Sequence, residues 1–503
     1  MNPSRRTVLF YAVLSALSLG GYLWASQAVY ALGFPLDDAW IHQTYARNLA
    51  QSGEWGFRPG EPSGGSTAPL WSSLLGLGHL LGLEPYFPAY LLGWLCLWGL
   101  ATLGYLAFRR LRPELPARWA VGAGALLVLE WHLVWAAGSG METLLFALLI
   151  LAGLSWLIQL GGAREGRAVP GSGVSWLGIG GLIGLSVWVR PDGVTLLGPA
   201  LLVAAMAGGK WGARLRIATF IAAGFAALFL PYLLFNRAVA GAWWPTTLYA
   251  KQAEYAVLLG TPLLERFLRQ AALPLVGAGA LLLPGFLHGL WSQLHRGKWG
   301  EAAGALWVLG YLGSYALRLP VVYQHGRYAI PVVPVFCVWG LAGLAGLLKL
   351  DCQVPWQRVA SRAWLASVGA VLLAFWVRGA QAYAWDVAVI ESEMAAAARW
   401  VSENTPPESI IAAHDIGALG YFGGRRLLDL AGLVSPEVIP FINDERALEA
   451  YLDGQGASYL VTFPGWYPAL SARGSPVFST GGRFSPALGG ENMAVYDWKS
   501  TIP

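Results

Sequence analysis

Eleven apolar runs, most near the length a bilayer requires, punctuate this chain and leave it few folds to choose from. A run of about 20 residues crosses the hydrocarbon core as a helix, and in lipid only helices or closed barrels satisfy their own backbone polar groups. Charged residues make up 12% of the chain, about half the share of a soluble domain. A polytopic α-helical membrane protein is therefore expected. The 26 tryptophans against 5 methionines fit a chain with many interfacial anchors.

The crossings are expected at 7–27, 87–108, 119–137, 143–160, 174–189, 194–209, 216–236, 271–291, 302–318, 329–349 and 363–379. Arg5 and Arg6 precede a first run that resembles a signal peptide, but the many later runs favour an uncleaved helix with a cytoplasmic N-terminus. The piece Pro69–Leu83 is short and contains His79. Reading it as a juxtamembrane or re-entrant helix keeps Arg109, Arg110, Arg112 and Arg118 inside, as the positive-inside rule asks. Basic cytoplasmic loops then follow at Arg164/Arg167, Lys210/Arg214/Arg216, Arg296/Lys298 and Lys349/Arg358/Arg362.

An odd number of spans exports residues 380–503, leaving 1–379 as the membrane domain with a first outer loop at 28–68. The tail is acidic, and about 120 residues can bury a core. A helical run at 391–403 and strand-like pieces at 409–413, 427–430, 458–463 and 493–498 predict a small extracytoplasmic α/β domain. The multi-pass chain would lie in the cell (plasma) membrane.

In this register the outer loops collect every motif-like segment: the Asp37–Asp38 loop, GSGMET (138–143), RPDG (190–193), GAWWPTTLYAK (241–251) and YQHGRY (323–328). Asp37 and Asp38 open an amphipathic segment, 39–51, with Trp40, Ile41, Tyr45 and Leu49 on one face. Two uses are open to the pair: capping that helix, for which Asp is favoured, or chemistry, because acids at a bilayer surface are costly to keep. As chemistry, one carboxylate would act as base towards an acceptor hydroxyl. A pair would also suit Mg²⁺ or Mn²⁺ with a substrate phosphate.

Outer cations run against the positive-inside bias and ask for a reason. Lys251, Arg327 and Arg190, with Tyr249 and His325 beside them, are candidates for a donor's phosphate and sugar. Arg266 and Arg269 read as snorkelling to headgroups. Arg190 and Asp192 also make a local ion pair across a Pro–Gly turn, and Glu142 sits where it would favour a helix start. Glu142, His42 and Asp192 are the candidates for acceptor contact or support. His325 and His414 have no partner spacing for a metal, and no CxxC or HExxH pattern occurs. Cys96, Cys337 and Cys352 define no disulfide framework. No basic run with interleaved aromatics suggests a nucleic-acid partner.

LDDAWIHQTYARNLAQSGEWGFRPGEPSGGSTAPLW, GSGMETLLFALL and RPDG resemble the GT-C superfamily of membrane glycosyltransferases, most of all the arabinofuranosyltransferase B type. Protein O-mannosyltransferases and aminoarabinose transferases are more distant members of the same plan. HDIGALGYFGGRRLLDLAGLVSPE (414–437) is similar to the exported domain of bacterial members. The resemblance implies an inverting transferase that takes a sugar from a polyprenyl phosphate among membrane lipids and passes it to a glycan, lipid or protein acceptor. It implies Asp37 as the base and Asp38 as its neighbour. The competing expectation is a transporter or flippase, which needs polar or broken helices in the bilayer; Glu130 and His132 are the adjacent polar pair that would serve it.

Overall fold

The computed structural model describes residues 2–161, 172–207 and 210–499. Arg164 and Arg167, assigned above to a cytoplasmic loop, lie outside the described residues. Helices fall at all eleven expected crossings, although 119–137 is broken at Glu130, 271–291 is broken at residues 276–278, and the end of 194–209 lies outside the described residues. Six stretches are long and apolar enough to cross a membrane: Arg5–Val29, Tyr86–Leu111, Thr143–Gly161, Trp211–Ala240, Tyr323–Leu347 and Pro355–Asn404. Two bent pairs, Ala117–Leu129 with Trp131–Ala137 and Leu263–Leu275 with Gly279–His295, bring the number to as many as eight if each pair is one span. The remaining helices, Gly173–Val189, Leu197–Met206 and Trp299–Arg318, are shorter or carry charge at their ends. The chain is a multi-pass membrane protein with a small C-terminal sheet domain.

The 57° break at Glu130 has a local cause. Glu130 Oε2 accepts the Leu133 amide at 3.0 Å, capping the second half-helix, and Oε1 meets His132 Nδ1 at 2.8 Å. The polar pair that a transporter would use is spent on satisfying the helix start.

The last membrane helix does not stop at the expected boundary. Pro355–Ser392 runs unbroken for 38 residues, about 57 Å at 1.5 Å per residue, and carries the chain directly into the C-terminal domain. There the strands are β1 (Ile410–Ala413), β2 (Arg426–Asp429), β3 (Tyr459–Thr462), β4 (Ser475–Ser479) and β5 (Ala494–Asp497), in the order β2-β1-β3-β5-β4. β1 is parallel to β2 and β3, and β5 is antiparallel to both its neighbours. Four of the five coincide with the expected strand-like pieces. β4 escaped notice because it carries Pro476 and is largely exposed, so no apolar alternation marks it.

Side chains alternate across this sheet as the pleat requires. Ala412, Leu428, Leu460 and Tyr496 enter a core closed by the helices Glu445–Gly454 and Pro468–Arg473. Ile411, Ala413, Leu427, Val461 and Val495 enter another, which the domain shares with the first loop through Trp40, Ile41 and Tyr45. The C-terminal domain therefore completes its core with residues made more than 350 positions earlier.

That sharing revises the first-loop helix. Asp38–Ser52 is not amphipathic in its setting: every residue from Ala39 to Ala46 is buried. The C-terminal domain covers Trp40, while the membrane part covers the polar side, where His42 bonds Ser72 and Gln43 bonds the Pro85 carbonyl and His79. The Trp40 ring lies 4.6 Å from Phe422, 4.8 Å from Tyr421 and 5.1 Å from Phe34. A tryptophan buries about 150–250 Å², worth roughly 4–6 kcal/mol at about 25 cal/mol per Å². Pro69–Leu80 is a 12-residue helix packed on this one, about 18 Å long.

Candidate active site

The two adjacent aspartates part company. Asp37 occupies the N-cap position of the first-loop helix, yet its side chain makes no cap bond there. Its oxygens accept the backbone amides of Gly417 (2.6 Å) and Ala418 (2.8 Å) in the C-terminal domain. The amides come this close because residue 417 is glycine: a Cβ there would lie 2.0 Å from the Asp37 carbonyl oxygen. Burial and the neighbouring Asp415 carboxylate push the Asp37 carboxyl up, against the pull of the two amides.

Asp38, one residue on, faces open space. Its Oδ2 lies 2.6 Å from Arg327 Nη1, and its side chain is 29% exposed. Burial alone would raise this carboxyl, but Arg327 and Lys251 outweigh it and hold it down at about 2. Burial likewise works against the charge of Lys251, but the phenols and carboxylates around it keep it above its ordinary range.

All five motif-bearing segments meet here. Asp38 and His42, Glu142, Arg190 and Asp192, Lys251, and Arg327 line one cavity of about 120 Å³, whose wall also carries the apolar Ile41, Met141, Leu248 and Leu319 beside threonine and tyrosine side chains. The polar residues are tied together. His42 shares Nδ1 with the Ser72 hydroxyl at 2.9 Å and turns Nε2 to Glu142 at 3.3 Å. Glu142 Oε1 stands 3.7 Å from Arg190, which pairs with Asp192 at 3.3 Å. Burial would raise Glu142, but His42 and Arg190 lower it below the usual carboxylate range. Tyr315, which accepts from Arg190 at 3.1 Å and donates to Asp192 at 2.6 Å, closes the network. Nothing in the sequence singled it out from the other aromatics of its helix.

A second, larger cavity of about 660 Å³ lies between the membrane part and the C-terminal domain. It shares Asp38, Lys251, Arg327 and Tyr328 with the first. Glu254, paired with Lys251 at 3.4 Å, lies on its membrane side, and His414, Asp415 and Tyr467 on the other. His414 is not a lone histidine: Nδ1 meets the Tyr467 hydroxyl at 2.8 Å and Nε2 lies 3.5 Å from Glu254.

Other candidates fall elsewhere. Tyr249 is 42% exposed and lines neither cavity, since residues 247, 248 and 251 of its helix face inwards. His325 also lies outside both. Its Nε2 bonds Asp386 at 2.8 Å between the edges of Trp131 and Trp135, anchoring a segment in which Gln324 and His325 hold φ of 51° and 57°. It positions the loop that presents Arg327. Arg266 donates to the Ala316 carbonyl and Arg269 pairs with Glu265, so both are engaged locally. Among the described residues no three metal-ligating side chains cluster to hold an ion. The Asp37 and Asp38 carboxylates, bonded to different partners, do not converge on one.

A family model described as "Domain of unknown function (DUF8728)" matches residues 380–496. The terminal β-(1→2)-arabinofuranosyltransferase of Mycobacterium tuberculosis is 29% identical over 340 residues, 63% of this chain and 53% of that protein. The chain thus spans about half the length of the curated relative it matches. An oligosaccharyltransferase of Archaeoglobus fulgidus superposes with a TM-score of 0.64 at 12% identity, covering 94% of this chain and 73% of that one. ArnT of Cupriavidus metallidurans, solved with undecaprenyl phosphate bound, gives 0.59 at 14% identity over 98% of both chains. The chain is thus similar in fold to both of these solved membrane transferases.

Proposed function

We propose that this chain is an inverting glycosyltransferase that moves a sugar from a polyprenyl phosphate to a cell-envelope acceptor on the outer face of the membrane. The observation that carries it is the meeting of two cavities at Asp38, Lys251, Arg327 and Tyr328. One is small and partly apolar, with cations in its wall; the other is large and polar. The curated relative's name, an arabinofuranosyltransferase, and the undecaprenyl phosphate bound to ArnT support the same reading. Exported placement of residues 380–503 follows from the basic loops.

Lys251 and Arg327 bind the donor phosphate with charge-assisted hydrogen bonds. Arg327 exchanges its bond to Asp38 for one to the phosphate, so the donor's arrival releases Asp38. We assign the base to Asp38 in place of Asp37, whose oxygens are taken up by two amides. Asp38 takes the proton of an acceptor hydroxyl as that oxygen attacks the anomeric carbon from the face opposite the phosphate. The bond from the anomeric carbon to the phosphate oxygen breaks, and its electron pair leaves with the polyprenyl phosphate. Glu142, Arg190 and Asp192 form the buried network that would hold the sugar's hydroxyls.

The test is turnover of purified protein in nanodiscs with a panel of polyprenyl-phosphate sugars, with and without EDTA, scored by release of polyprenyl phosphate. Saturable turnover that Asp38→Asn removes is expected. Absence of turnover with every donor, or full activity in Asp38→Asn, would refute the assignment.

A further inference from the structure

Resting on that reading and deepening it, we propose that the polar cavity beneath the C-terminal domain binds an uncharged, polyhydroxylated acceptor, a neutral glycan. Recognising it is then the task of the domain of unknown function. At about 660 Å³ the cavity falls within the range of about 300–1,000 Å³ typical of small-molecule sites.

Its aromatic lining suits sugar rings. Trp466 from the C-terminal domain and Tyr323 from the membrane part are 50% and 55% exposed, and Tyr255 lies beside Tyr323 with ring centres 6.1 Å apart. Rings of this kind offer an apolar face with polar groups at the edge, which matches a ring carrying C–H bonds on its faces and hydroxyls on its rim.

Its polar lining asks for donors. Asp415 Oδ2 is buried and has no hydrogen-bond partner in the protein. Such an acceptor is costly unless something donates to it, and a ligand hydroxyl does so without adding charge.

Its charge disfavours anions. Asp38, Glu254, Asp415 and Glu445 line it; Arg327 and Lys251 are taken by Asp38 (2.6 Å) and Glu254 (3.4 Å) or, with donor bound, by its phosphate, and His414 faces Glu254 at 3.5 Å. An acceptor carrying its own carboxylate or phosphate would meet carboxylates first. A peptide fits poorly too. The edge strands β2 and β4 contribute no lining residue, so the walls offer no open strand edge for main-chain pairing.

The test uses the full chain in nanodiscs without donor. The probes are octyl disaccharides of arabinose, mannose, galactose and glucose, a uronic-acid counterpart and a short serine/threonine peptide, titrated by calorimetry. At least one neutral disaccharide is expected to bind, with the uronate at least about tenfold weaker. Trp466→Ala and the near-isosteric Asp415→Asn should each raise its Kd, and its KM in transfer, at least about tenfold, with the donor Kd reporting that the site is intact. Binding of no neutral disaccharide, preference for the uronate or the peptide, or unchanged acceptor Kd in both variants would overturn the proposal. Glycan binding with no donor turnover would instead sink the transferase reading and leave the glycan site standing.

Discussion

Asp37→Asn and Asp38→Asn are nearly isosteric neighbours, and the structure predicts opposite failures for them. Asp37 is 7% exposed and accepts two amides of the C-terminal domain. Asparagine keeps one oxygen, so one amide bond is retained. The other amide is left facing an NH₂ group, which costs about 1–3 kcal/mol for an unsatisfied buried donor. This weakens docking of the domain by the same amount, a fall of roughly 10 °C in the midpoint for a unit of this size. Thermal unfolding in nanodiscs, followed by protease access to the segment after Ser392, reads the change directly. Asp38→Asn should leave that midpoint near its wild-type value and lower turnover by about 100- to 10,000-fold, the span of general-base catalysis. An Asp37→Asn protein that unfolds at the wild-type temperature yet fails to turn over, beside an active Asp38→Asn, would reverse the assignment.

Three further outcomes are expected. Lys251→Ala removes a charge-assisted contact worth about 1.5–3 kcal/mol, so the donor Kd should rise by about 10- to 150-fold; an unchanged Kd would remove Lys251 from the phosphate site. Gly417→Ala puts a methyl 2.0 Å from the Asp37 carbonyl oxygen, and should give protein whose C-terminal domain is cut by protease at temperatures where wild type resists. Asp429 accepts the amides of Ala431 and Val434 and is fully buried, and burial pushes its carboxyl up to about 6. Between its unfolded value of about 3.9 and about 6, the folded form holds a proton that the unfolded chain has released. Its part of the stability is therefore present below pH 4 and declines as the pH rises to 6. Asp429→Asn should flatten that decline even where it lowers stability overall, and a decline unchanged in the variant would contradict it.

The meeting of the five polar segments could be read in advance because each lies at the end of an apolar run, and the sign of the short loops between the runs groups those ends. The positions of Lys251, Arg327, Arg190 and Glu142 depend only on which helix end they occupy. The division of labour between Asp37 and Asp38 could not be read. It depends on the Gly417 and Ala418 amides, contacts that local periodicity does not encode. Tyr249 looked as suitable as Lys251 within GAWWPTTLYAK, until the helix phase turned one outward and the other in. Burial of the Asp38–Ser52 helix was hidden for a similar reason: Trp40 and Tyr45 read as one apolar face, and nothing local says that Gln43 and Thr44 are covered as well.

The bond from Asp37 to Gly417 joins residues 380 positions apart, and that separation sets a schedule for biogenesis. At about 5–20 residues per second, the ribosome needs roughly 20–75 s between the two. Through that interval Trp40 and its neighbours have no C-terminal partner, so the loop holding Asp38 waits half-dressed at the membrane surface. Nascent or truncated chains lacking the last strands would insert and yet hold no finished site, so assembly of the cavities waits for the end of synthesis.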